Sequence, residues 1–137
     1  MLENDKKVIL VTSTVSGEGK SFISANLAIS LSLLGKKVII VGLDIRKPGL
    51  NKVFNIPRKE VGITQYLANP EKNLMDLVQL SDVSKNLYIL PGGTVPPNPT
   101  ELLARDGLDK AIETFKKSFD YVILDTAPVL SLIHISE

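Results

Sequence analysis

Eight consecutive residues, Thr14-Val15-Ser16-Gly17-Glu18-Gly19-Lys20-Ser21, fit the phosphate-loop pattern except at its first position, where Thr14 stands for glycine. In such a loop successive backbone N–H groups turn inward around an anion. The helix that follows adds its unpaired amides and the positive end of its dipole. The cradle predicted here comprises Ser16, Gly17, Glu18, Gly19, Lys20, Ser21 and Phe22. Lys20 is placed to reach the β and γ phosphates of a nucleotide, and the Ser21 hydroxyl to ligate Mg²⁺. Glu18 contributes its backbone; its side chain reads as a solvated loop carboxylate. A Gly-Lys-Ser triplet alone says little. Its position between an apolar strand and an apolar helix is what gives it weight.

Phosphoryl chemistry also needs carboxylates near the loop, to hold the metal and to position the attacking group. In an open α/β sheet they belong at the C-terminal ends of neighbouring strands. Two residues qualify. Asp125 directly follows Tyr121-Val122-Ile123-Leu124, a hydrophobic strand and then an aspartate. Asp44 follows Val38-Ile39-Ile40-Val41 by two residues, with Arg46 and Lys47 beyond it. Arg46 has two readings, a contact to phosphate or to a partner subunit, or a solvated arginine in a salt bridge.

The elements that must carry these residues can be read from periodicity and punctuation. Val8–Val11 and Val38–Val41 are continuous β-branched runs, the pattern of strands buried on both faces of a parallel sheet. Between them Ser21–Leu34 reads as a helix stopped at Gly35, so the three elements form a βαβ unit. Arg46–Lys59 reads as loop, with Pro48, Gly49 and Pro57. Short helices are expected at Ile63–Ala68 and Leu74–Leu80, and a strand at Leu87–Leu90. Asn98, Pro99 and Glu101 make a helix start, predicting helices over Thr100–Arg105 and Leu108–Ser118 before the strand Tyr121–Leu124. Alternating strands and helices give an α/β fold, a P-loop NTPase with a mainly parallel sheet flanked by helices in three layers.

Composition bounds the rest. The chain has 137 residues, 44% of them apolar, and a formal net charge of +1. That size suits one domain, and the balanced charge argues against a dedicated nucleic-acid binder. The chain contains no cysteine, which excludes disulfides, thiolate zinc sites and cysteine nucleophiles. No apolar run reaches the roughly 18 residues of a membrane span, and the first residues lack the order of a signal peptide. The chain therefore reads as soluble and cytoplasmic. The last eight residues, Leu130 to Glu137, match the in-frame translation of a transposon-end sequencing adapter. They are expected to be an artefactual tail, leaving residues 1–129 as a partial P-loop ATP-binding domain. The single histidine, His134, leaves the functional argument with that tail.

Taken together, these blocks resemble the bacterial tyrosine kinases of the capsular and exopolysaccharide machinery, members of the deviant-Walker P-loop ATPases. The resemblance is carried by four segments. Ser13–Ser21 continues into Phe22-Ile23-Ser24-Ala25-Asn26-Leu27-Ala28. The acidic motif is Val41-Gly42-Leu43-Asp44-Ile45-Arg46. Leu90-Pro91-Gly92-Gly93 accompanies Pro96-Pro97-Asn98-Pro99-Thr100-Glu101-Leu102-Leu103. The last segment is the strand ending in Asp125-Thr126-Ala127-Pro128. The resemblance implies ATP-dependent autophosphorylation of tyrosines on a neighbouring subunit, with ATP/ADP and Mg²⁺ as cofactors. Lys20, Asp44 and Asp125 would be catalytic; Ser21, Asp44 and Asp125 would hold the metal. Asp44 would also lie near the acceptor hydroxyl as a base. A homo-oligomer, and a membrane polysaccharide co-polymerase as activating partner at the inner face of the plasma membrane, come from the same source.

Three departures stand out. Gly42 replaces the first aspartate of the family's acidic motif, and Val15 stands where partitioning and cell-division ATPases carry a signature lysine. This fragment is expected to lack both the family's basic oligomerisation helix and its tyrosine-rich tail. Tyr66, Tyr88 and Tyr121 are expected in the core rather than as phosphoacceptors. Two further readings stand beside the kinase: a switch ATPase without tyrosine transfer, and a nucleotide-sensing regulatory module.

Overall fold

The computed structural model describes residues 7–11, 18–44, 49–56, 62–69, 71, 73–93 and 106–126. Their elements in chain order are β1 (Lys7–Val11), α1 (Glu18–Leu33), β2 (Val38–Gly42), α2 (Gly49–Val53), α3 (Ile63–Ala68), a 3-10 turn (Leu74–Leu77), β3 (Gln79–Leu80), β4 (Leu87–Leu90), α4 (Asp106–Ser118) and β5 (Tyr121–Asp125). The five strands form one sheet in the order β1-β5-β2-β4-β3. All neighbours run parallel except β3, which pairs antiparallel with β4 at one edge. The α/β class and the mainly parallel sheet agree with the sequence reading.

Alternation along the strands divides the core into two layers. Ile39, Val41, Leu90, Val122 and Leu124 face α3 and α4, where Ile63, Leu67, Leu108, Ala111 and Phe115 close the layer. Val38, Ile40, Leu87, Ile89 and Ile123 face the other way, against Ala28 of α1 and Leu50 of α2. Because Ile123 faces α1, the same period of two puts Asp125 on that side. Gly42 is the partner of Asp125 in the parallel register between β2 and β5. Helix α1 ends as expected: Gly35 takes φ +91°, Lys36 N–H donates to the Leu31 carbonyl and Gly35 N–H to that of Ser32. Of the tyrosines, Tyr66 is buried and Tyr88 packs edge-on against Phe119 at 5.4 Å.

Two sequence expectations need correction. The helix expected at Leu74–Leu80 is a 3-10 turn followed by β3. Asn73 caps that turn by accepting from the Met75 N–H, and Gln79 and Leu80 then pair with Ile89 and Tyr88. The stretch Arg46–Lys59 is not all loop, since Gly49–Val53 form α2, held by fully buried Leu50 rather than by local helix signals. In addition, α1 begins at Glu18, so Lys20 stands on its first turn rather than in the preceding loop. The expected helix Thr100–Arg105 and the tail 130–137 lie outside the described residues.

Candidate active site at the ends of β2 and β5

Strand order decides where the chemistry gathers. β5 lies between β1 and β2, so α1, which follows β1, begins beside the C-terminal ends of both β5 and β2. The backbone tightens this corner. Leu43 and Asp44 N–H both donate to the Asp125 carbonyl, at 2.8 and 3.1 Å, and Thr126 N–H donates to the Val11 carbonyl. Asp44, two residues past β2, is thereby drawn against the end of β5.

Side chains complete a buried network. Lys20 Nζ donates to Asp44 Oδ2 at 2.9 Å and to the Thr126 carbonyl at 3.0 Å, and lies 3.3 Å from Asp125 Oδ1. Ser21 Oγ donates to Asp125 Oδ2 at 2.8 Å. One turn further along α1, Ser24 Oγ lies 3.0 Å from Asp125 Oδ1 and 3.1 Å from the Lys20 carbonyl. The side chains of Lys20, Asp44 and Asp125 are at most 4% exposed. One ammonium thus faces two carboxylates away from water, where charges interact far more strongly than at the surface.

The structure brings Lys20, Ser21, Asp44 and Asp125 together. Phe22 stands apart from this network, 58% exposed on α1. Gly19, at the start of α1, is exposed. Ser16, Gly17 and Arg46 lie outside the described residues, as does the side chain of Glu18. Three participants were missed. Ser24 could have been found as a polar residue three positions after Ser21, on the same face of α1. Thr126 acts through its carbonyl, for which residue type gives no signal. Gly49 matters through its lack of a side chain, since a β-carbon there would overlap the Ser21 hydroxyl.

Chemically, the corner offers hard oxygen donors and one ammonium. Among the described residues no three histidine, cysteine, aspartate or glutamate side chains cluster as a complete metal cage. A hydroxyl with one or two carboxylates is instead the donor set of Mg²⁺ sites that share the ion with substrate phosphates. The ammonium suits the phosphates themselves.

The sequence and the fold have known relatives. Residues 6–137 match the family described as "AAA domain". The chain belongs to this family. It is 38% identical over 125 residues to tyrosine-protein kinase CpsD of Streptococcus agalactiae, covering 91% of this chain and 54% of that protein. Among solved structures, the VpsO kinase domain superposes with a TM-score of 0.82 at 32% identity, covering 94% of this chain and 62% of that one. The septum site-determining protein MinD from Pyrococcus horikoshii, complexed with Mg-ADP, gives 0.72 at 26% identity, covering 88% and 48%. The family is thus that of P-loop nucleotide-binding domains, with bacterial tyrosine kinases among its relatives. The chain spans about half the length of the curated relatives it matches.

Proposed function

We propose that this chain is the ATP-binding part of a bacterial protein-tyrosine kinase serving capsular or exopolysaccharide synthesis. The observation that carries the reading is the buried junction of Lys20 with Asp44 and Asp125, beside a Ser21 hydroxyl bonded to Asp125. Similarity to tyrosine-protein kinases selects this reading from the wider family.

In this reading Ser16, Gly17, Glu18, Gly19 and Phe22 belong to the backbone cradle of the phosphates, with Arg46 as an additional phosphate or partner contact. Lys20 exchanges its carboxylate partners for the β and γ phosphates of ATP. Ser21, Asp44 and Asp125 hold Mg²⁺, which when bound neutralises charge on the phosphates. Asp44 accepts the proton of the tyrosine hydroxyl as its oxygen bonds to the γ-phosphorus and the bond to the β-phosphate oxygen breaks, leaving ADP. Most of the barrier reduction comes from position and charge, since phosphoryl transfer asks little covalent chemistry of the protein. The acceptor tyrosine is supplied by a neighbouring copy, and a membrane polysaccharide co-polymerase is the activating partner. Among the described residues no helix is long and apolar enough to cross a membrane, so attachment to the membrane falls to that partner or to flanking sequence. Residues 130–137, although inside the stretch matched to the family, are proposed as foreign to the domain, which resequencing of the source gene checks.

One observation favours a second reading. Gly42 sits opposite Asp125 in the register and brings no carboxylate, so the acidic set is smaller than the kinase motif it resembles. That suits an ATPase switch that passes phosphate to water. Incubating the intact gene product with γ-labelled Mg-ATP, and reading phosphotyrosine and free phosphate together, separates the two. Label on tyrosine that disappears in Lys20→Met and Asp125→Ala supports the kinase; transfer persisting in both variants rejects the mechanism. Free phosphate alone moves the protein to the switch class.

A further inference from the structure

We infer that Ser24 is a positioning residue for Asp125, setting the carboxylate for the metal; the inference rests on the nucleotide reading above. Asp125 is 1% exposed and its two oxygens are held separately. Ser21 Oγ donates to Oδ2 at 2.8 Å, while Ser24 Oγ reaches Oδ1 at 3.0 Å. The two serines are three residues apart on α1, so they rise from one helix face and clamp the carboxylate from both sides.

The burial of Ser24 does not by itself demand this contact. A serine inside a helix satisfies its hydroxyl on the carbonyl four residues back, and Ser24 has that acceptor, the Lys20 carbonyl, at 3.1 Å. The side chain is fully buried, and it stands where its single proton serves Asp125 as well. A carboxylate with a short, directed hydroxyl donor at each oxygen has one orientation; held at one of them by a longer, less directional ammonium contact, it is freer to turn. With Ser24 truncated, the donor remaining at Oδ1 among the described residues is the Lys20 ammonium at 3.3 Å. Asp125 then turns toward Lys20 and away from Ser21, and the pair of oxygens offered to the metal is lost. Groups that orient metal ligands without touching the metal are worth about 10- to 100-fold in affinity or activity.

The test is calorimetric titration of ADP into the intact protein, once with Mg²⁺ and once with EDTA. The ratio of the two affinities is the gain due to the metal. Ser24→Ala should cut that gain about tenfold while leaving the affinity in EDTA nearly unchanged. Ser24→Cys, which keeps the volume but is a weak donor, should do the same and serves if the alanine variant does not fold. In an Asp125→Ala background the Ser24 substitution should add nothing. An unchanged gain in folded Ser24 variants, or an undiminished Ser24 effect without Asp125, overturns the inference and leaves the nucleotide reading standing. Wild-type protein that binds no ADP in either condition overturns both.

Discussion

Gly49 opens α2 directly against Ser21: a β-carbon built there falls 2.6 Å from Ser21 Cβ and overlaps its hydroxyl. The contact explains how the chain leaving Asp44 can return over α1 without displacing the serine. Gly49→Ala should move Ser21 off Asp125, lowering Mg²⁺-dependent ADP binding by about tenfold in the same calorimetric comparison, although alanine is the better helix former. Unaltered Mg²⁺ dependence would show that the serine tolerates displacement. Gly42 poses the opposite question, because resemblance to the kinases asks for an aspartate there. A β-carbon at 42 meets the Gly92 nitrogen and Leu50 Cδ1 at 3.3 Å each, and a carboxylate would join Asp125 on the same face of the sheet. Crowding and like charge therefore act together. Gly42→Asp should cost about 1–3 kcal/mol in urea unfolding with EDTA, with part recovered on adding Mg²⁺. No loss in EDTA would mean that the corner already has room for a third carboxylate.

Among the elements, the end of the sheet remote from the site is held by aromatic packing. Phe119 contacts Phe115 and Tyr88 in edge-on geometry at 5.9 and 5.4 Å, and Lys37 Nζ lies 5.2 Å from its ring centre. The Lys37 and Asp120 backbones close the same corner, with Asp120 N–H donating to the Lys37 carbonyl at 2.7 Å. Phe119 is 1% exposed, so Phe119→Ala should destabilise by about 3–5 kcal/mol, read as a lower urea midpoint with an unchanged slope. A loss below about 1 kcal/mol would show that the corner collapses to fill the space. This packing also marks what could and could not be read beforehand. The strands were legible because Val38–Val41 and Tyr121–Leu124 are buried on both faces and so are apolar throughout. Helix α1 was legible from its length and from Gly35. The short elements were not: α2 exists because Leu50 finds a place against Ala28 and Ile40, and β3 because β4 offers a free edge. Both depend on partners distant in sequence, and residues 74–80 carry no local pattern that distinguishes a 3-10 turn plus strand from a helix.

At the scale of the whole molecule, the site depends on the order of strands. Lys20, Asp44 and Asp125 are separated by 24 and 81 residues along the chain, and only the placement of β5 between β1 and β2 makes them neighbours. The carboxylates were predictable as strand-end residues, whereas their bonds to one lysine were not, since sequence does not give strand order. On the proposed reading the arrangement would couple folding to ligand. One buried ammonium compensates two buried carboxylates, and removing one member of such a group costs about 3–5 kcal/mol because charge is left behind without it. Lys20→Met should therefore lower thermal stability even without nucleotide, as well as abolish transfer. On the proposed reading the phosphates of Mg-ADP would draw Lys20 away, and Asp44 and Asp125 would then hold the metal, so the bound state would keep the charges compensated. Mg-ADP at about 100 times its Kd should then stabilise the fold by about 2.7 kcal/mol, with a smaller rise at the same ADP concentration in EDTA, where the carboxylates would lose the lysine and gain no metal. Lys20→Met should give neither rise. A variant with wild-type stability that still responds to Mg-ADP would mean that the lysine's partners lie elsewhere and that the buried junction is not the nucleotide's seat.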